Sequence, residues 1–164
     1  GIRMQSVFSL FENYEDSANV VDALLEAGFD QDEMNVLVDA KLARSAMDAN
    51  LERIAIKATD EVGEASQGLD VILGSERPIV VPRLGSVYAA GDIATIMAEA
   101  AAAPDTEGLE GAMEEFGVPS PQTCIESIVN GGVLFWIRTE DERVSEAADI
   151  FRVYNGLKIT SYGG

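Results

Sequence analysis

The chain has 164 residues, enough for one domain that buries about two-thirds of its unfolded surface. It carries 29 Asp and Glu against 11 Lys and Arg, a formal charge of −18. A field of that sign repels phosphate, so nucleic acid and anionic membrane surfaces are excluded as natural partners.

No histidine is present. Ser-His-Asp and Cys-His nucleophile systems, a His general base and His-containing zinc sites are therefore absent. The single cysteine, Cys124, forbids an internal disulfide and fits a reducing compartment. The start, Gly1-Ile2-Arg3-Met4, shows no leader-like apolar segment, so the cytoplasm is the expected location. No apolar run reaches the roughly 18 residues of a membrane span.

In chain order, the apolar run 5–11 reads as a first strand. Asn13 and Asp16 have capping-box spacing. Ala18, Val21 and Leu25 then lie on one helical face, and Gly28 fits the position just past the helix end. Residues 30–33 are a turn and 34–39 a second strand.

The segment 45–67 has helical spacing at Met47, Leu51, Ile54, Ala58, Val62 and Ala65. Residues 68–85, broken by Gly74, Pro78, Pro82 and Gly85, read as loop with short extended pieces. Asp92 is placed to cap a helix over 93–103, which Pro104 ends. A short helix covers 107–116. Ser120 and Pro121 open another as N-cap and first helical residue, and it runs to Asn130.

The C-terminal segment repeats the N-terminal one. Val133-Leu134-Phe135-Trp136-Ile137 is a strand, and Thr139 with Glu142 has capping-box spacing. Val144, Ala147 and Phe151 stand where Ala18, Val21 and Leu25 stand in the first copy. Gly156 follows the helix, and 157–160 is a last strand.

Two βαβ units predict an α+β fold: a ferredoxin-like βαβ–βαβ four-stranded antiparallel sheet with a helical insertion. The whole chain, 1–164, reads as a single domain, with units at 5–39 and 133–162 and the insertion at 45–130. Phe8, Leu10, Leu134 and Trp136 point opposite to Val7, Ser9, Phe11, Val133, Phe135 and Ile137, so both sheet faces need cover. The insertion is expected on the face that the two unit helices leave bare. Strand two and strand four are expected at the edges. Lys158 blunts the fourth, and strand two is left as a dimer edge.

Several segments together resemble a known family. They are Ser9-Leu10-Phe11 with Asp22-Ala23-Leu24-Leu25-Glu26-Ala27-Gly28-Phe29, then Met34-Asn35-Val36-Leu37, then 79–91 from Ile79 to Gly91. The longest is 108–119, Gly108 to Pro119, running on to Gly131-Gly132-Val133-Leu134. In this order they resemble the bacterial general-stress-protein-like, or heat-induced stress protein, family. The resemblance implies a stress-associated protein without catalytic residues to transfer. Family members have a glycine-rich apolar centre. Here that region carries Asp60, Glu61, Glu64, Asp70 and Glu76, so a membrane role is not carried over.

Candidate chemistry is sparse. Cys124 sits on a predicted helix with Ile125 and Ile128, with Glu126 nearby, so it reads as a buried structural thiol. The acids at 12–16, 30–33 and 140–142 offer oxygen ligands, but helix first turns favour acids anyway, so no metal is assigned. The small-residue segment 85–91 lacks the lysine of a phosphate loop. No cofactor is expected.

The leading expectation is a non-enzymatic, stress-associated protein acting through contacts with an unidentified protein partner, as a homo-oligomer, most simply a dimer. The alternative is a small-ligand domain with a cleft between sheet and insertion near Arg83, Tyr88 and Trp136.

Overall fold

Two apolar runs from opposite ends of the chain pair with each other, and the sheet grows outward from that pairing. The computed structural model describes residues 2–58, 68–102 and 107–163. In it β1 (Met4–Phe11) lies antiparallel to β5 (Val133–Glu140), from Met4 opposite Glu140 to Phe11 opposite Val133. β2 (Met34–Asp39) takes the other side of β5, and β6 (Leu157–Gly163) the other side of β1.

A hairpin of β3 (Ile79–Val81) and β4 (Gly85–Ala90) adds to β2. The order is β3-β4-β2-β5-β1-β6, with every pairing antiparallel. The protein is α+β, but the sheet has six strands where four are expected.

The difference comes from residues 68–90. The expected loop is a helix, α3 (Gly68–Gly74), followed by the hairpin. Leu69, Ile72 and Leu73 form a buried helical stripe too short to stand out among Gly74 and Pro78. The β-branched run at β3 and the extended segment at β4 then carry the sheet past β2. β2 is therefore internal and cannot be the dimer edge. The outermost strands are β3 and β6, and β6 keeps its expected place with Lys158.

Both faces are covered. On one, Val7, Phe11, Val133, Phe135 and Ile137 meet α1 (Tyr14–Glu26), α2 (Ala40–Ala58), α3 and α7 (Val144–Val153). Phe11, Phe135 and Phe151 pack edge to face there, with centroids 5.7 to 6.5 Å apart. On the other, Phe8, Leu10, Leu37, Leu134 and Trp136 meet α4 (Ile93–Ala102), α5 (Glu107–Phe116) and α6 (Pro121–Val129). The insertion thus divides between the faces, with α2 and α3 joining the unit helices.

α2 begins five residues before the expected start, because the Asp39 carboxylate accepts the Leu42 N–H at 2.9 Å and starts the helix directly after β2. Met47 packs on the core, whereas Leu51 is 62% exposed. The expected face positions Val62 and Ala65 and the side chain of Ala58 lie outside the described residues, as does Pro104.

The two copies end their helices alike and start them differently. Asn13 caps α1 by accepting the Asp16 N–H at 2.8 Å. Gly28, at φ +90°, closes a Schellman turn with Phe29 N–H to Leu24 O and Gly28 N–H to Leu25 O. In the second copy the left-handed residue is Asn155 at φ +66°, not Gly156. Gly156 is required by close approach instead, since a side chain there would press on Ser9 Oγ.

The second capping box does not form. Thr139 is buried within β5, and Glu142 sits in a 3-10 turn at Asp141–Arg143. That turn sends Arg143 back to the first copy. Its guanidinium donates to Ala27 O at 2.8 Å and lies 3.7 Å from the Phe29 ring centre. Ser120 is also no side-chain cap, because its left-handed φ of +48° places it outside the usual extended cap geometry.

Gly28 and Gly91 separate conformational from steric cost. Both have positive φ, but a side chain at Gly28 meets open space, while one at Gly91 runs into Met34 O and Asn35. Gly28→Ala should lose about 1 kcal/mol of unfolding free energy. Gly91→Ala should lose about 3 kcal/mol. Urea unfolding midpoints of the two variants check this.

Candidate functional site

On the α4–α6 face the sheet is built in rungs of different chemistry. Leu10, Leu134 and Leu37 lie opposite one another in an aliphatic rung. Two residues along come Thr160, Phe8, Trp136 and Asn35, and two further come Tyr162, Ser6 and Arg138. Strand alternation alone places these side chains on one face.

The helices cover the first rung and end over the second. Phe116, the last residue of α5, packs on Trp136 with centroids 5.6 Å apart, and Phe8 lies 4.9 Å from Trp136. Asn35, only 5% exposed, accepts the Ile93 N–H at 2.9 Å. The side chain that holds the first turn of α4 thus comes from β2, and the expected cap Asp92 is left at the surface. The third rung stays open.

The result is a cleft of about 210 Å³. Its floor is Phe8 and Trp136, with Phe116 as one wall. Ser6, Arg138 and Tyr162 form the outer side, and Asp32, Glu33 and Asp92 the β2 side. Met34 lies opposite Ile137, which puts Glu33 at the position next to Arg138. No carboxylate among the described residues lies within ion-pair distance of Arg138.

Trp136 is 2% exposed, yet no described residue accepts its indole N–H. No sealed side-chain nitrogen or oxygen among the described residues lacks a partner. The indole N–H therefore reaches solvent at the edge of the otherwise buried ring, and Trp136 lines this cleft.

Of the three expected ligand residues, Trp136 lines the cleft and the other two are elsewhere. Tyr88 points to the opposite sheet face, one register away from Val87 and Ala89. Its hydroxyl accepts from Arg44 Nη2 at 2.9 Å. Arg83 occupies the β3–β4 turn behind Pro82, at φ +73°, closed by Leu84 N–H to Val81 O. Its guanidinium donates to Glu110 Oε1 and Gln122 Oε1, both at 2.7 Å, and so ties the hairpin to α5 and α6.

Sequence reasoning missed Ser6, Arg138 and Tyr162. The signal for the first two was present: polar residues two positions from Phe8 and from Trp136, on strand faces otherwise apolar. Their meaning depended on where the helices end.

Other polar groups are structural. The Tyr14 hydroxyl donates to Asp70 at 2.5 Å, and Asn50 donates to the same carboxylate at 3.0 Å, joining α1, α2 and α3. Burial, then the Asp70 carboxylate, holds the Tyr14 phenol well above its usual range. Cys124 is buried and its thiol donates to Pro119 O at 3.3 Å. Burial pushes that thiol up to about 11, so it is protonated at neutral pH and no nucleophile.

Among the described residues no three His, Cys, Asp or Glu side chains converge to hold a metal ion. No helix among them is long and apolar enough to cross a membrane. No protein-family model, curated protein or solved structure matches this chain.

The raised Cys124 pKa has a sign. The folded value lies above the ordinary thiol value of about 8.5, so the protonated thiol stabilises the fold at lower pH. That contribution is lost as pH rises through about 11. Denaturant unfolding between pH ~8.5 and ~11 should fall less steeply for Cys124→Ala than for the parent. At pH ~8 a thiol reagent should react about 100-fold more slowly with the folded than with the unfolded chain.

Proposed function

We propose that this chain is a non-enzymatic binding domain that takes a small ligand in the cleft over the outer rung of the sheet. The observation that carries this reading is the Trp136 indole N–H, which has no acceptor among the described residues although the ring is almost wholly buried. That N–H reaches the cleft edge, where water or a ligand can accept its hydrogen bond. The unpaired Arg138 beside it and the aromatic floor give such a ligand polar and apolar contacts.

The volume of about 210 Å³ is below the usual range for drug-sized ligands and fits a molecule of few heavy atoms. The resemblance of 79–91, 108–119 and 131–134 to general-stress proteins supports placing this binding in a stress-associated, cytoplasmic role. The order β6-β1-β5-β2 supports reading the two terminal units as a ferredoxin-like core that the hairpin extends.

A second reading, association through protein contacts, is favoured by β6. It is an outermost strand with Leu157 and Tyr162 exposed, so it offers a free edge for pairing. The charge of −18 opposes pairing between two copies. If copies do pair, the dimer should therefore strengthen as salt rises. Sedimentation at low and high ionic strength checks this, and a monomer at both excludes the homo-oligomer.

The cleft reading has a direct test, because the chain has one tryptophan and so one indole NMR signal. A metabolite screen should find compounds that move the Trp136 indole and Arg138 side-chain signals together. Trp136→Phe should keep the fold and weaken those compounds about tenfold. A screen in which no compound moves these signals sinks the reading.

A further inference from the structure

We propose that the cleft is built for a small zwitterion with an apolar body, of the free α-amino acid class. This rests on the cleft reading above and goes further by naming the ligand's charges.

The cleft has two kinds of unpaired polar group. Arg138 and the Trp136 indole N–H are donors without a protein acceptor among the described residues. They stand two residues apart on β5, so their Cα atoms are separated by about 7 Å along the strand. A guanidinium presents a planar fork of donors that matches a carboxylate. On the neighbouring β2 side stand the carboxylates of Asp32, Glu33 and Asp92, which accept from an ammonium group.

Charge and hydrogen bonding together narrow the choice. Three acids against one arginine make the cleft net negative, within a chain of charge −18. A simple anion would meet that field unfavourably. A simple cation would meet the acids but make no contact with the exposed Arg138 guanidinium or the Trp136 N–H, which would stay on water. A molecule with adjacent ammonium and carboxylate groups satisfies both sides at once. Glu33 directly precedes the Met34–Ile137 pair and Arg138 directly follows it, so an acid and the guanidinium flank the same end of the ladder.

The remaining surface sets the side chain. Phe116, half-buried against Trp136, offers an aromatic wall to a small apolar body, while most of the lining is polar. The volume of about 210 Å³ limits the ligand to the size of one residue.

The experiment titrates the folded chain with free phenylalanine and leucine, with their amides and with their N-acetyl forms. Trp136 fluorescence and the indole NMR signal report binding. The free amino acid should bind saturably, and each capped form about tenfold or more weakly. Arg138→Gln should weaken the free amino acid about tenfold and leave the amide unchanged, while Asp92→Asn should weaken the free amino acid and leave the N-acetyl form unchanged. Circular dichroism checks that both variants fold.

An amide or N-acetyl form binding as tightly as the free amino acid overturns this inference but leaves the cleft reading intact. Silence toward all free amino acids up to about 10 mM, with other compounds still moving the indole signal, also overturns it. Silence toward every compound removes the cleft reading itself.

Discussion

The β1–β5 ladder is the constraint on which the rest of the structure depends. Its strands carry apolar residues on both faces: Val7, Phe11, Phe135 and Ile137 on one, Phe8, Leu10, Leu134 and Trp136 on the other. A sheet of this kind cannot leave either face to water, and each fully buried large side chain contributes about 1.5–3 kcal/mol. The unit helices α1 and α7 cover part of one face only. The long segment between the units is therefore needed to complete one layer and to supply the whole of the other.

This demand explains the placement of the insertion. α2 and α3 complete the first layer and are tied to α1 through Asp70 and Asp22, which accept from Tyr14 and from the Gly68 N–H. α4, α5 and α6 make the second layer and are pinned from the sheet by Asn35 and from the hairpin by Arg83. Arg83 holds a left-handed backbone that most residues avoid, and its two hydrogen bonds to α5 and α6 offset that strain. The cleft follows from the same logic. The second layer extends only as far as the apolar rungs, and where Ser6 and Arg138 replace leucine and aromatic residues the cover stops.

Much of the local structure was legible in the chain. Asn13 capping α1, Gly28 closing it, the strand at 133–137 and the helices at 107–116 and 121–129 follow from local chemistry that the structure keeps. What misled was local resemblance without its tertiary context. Thr139 and Glu142 have capping-box spacing, but β5 continues to Glu140 because Met4 is there to pair with it. Gly156 looks like the partner of Gly28, yet Asn155 takes the left-handed turn and Gly156 makes room for Ser9. Arg83 and Tyr88 are close in sequence to one another and were grouped with Trp136, but strand alternation sends Tyr88 through the sheet to the far side.

By itself the sequence determined the element types of the two end units and of 93–129, the lack of histidine chemistry and the need to cover two faces. These depend on residue identity and on periods of two and 3.6, which operate within a few neighbours. Only the tertiary structure decided that the hairpin extends the sheet to six strands, that β2 is internal, and that the helical cover ends at the aromatic rung. Those outcomes depend on pairings between residues far apart in the chain, such as Val36 with Ala90 and Asn35 with Trp136. The candidate site belongs to this second kind. Ser6, Trp136, Arg138, Asp92 and Glu33 come from four separate parts of the chain, and only register brings them to one cleft.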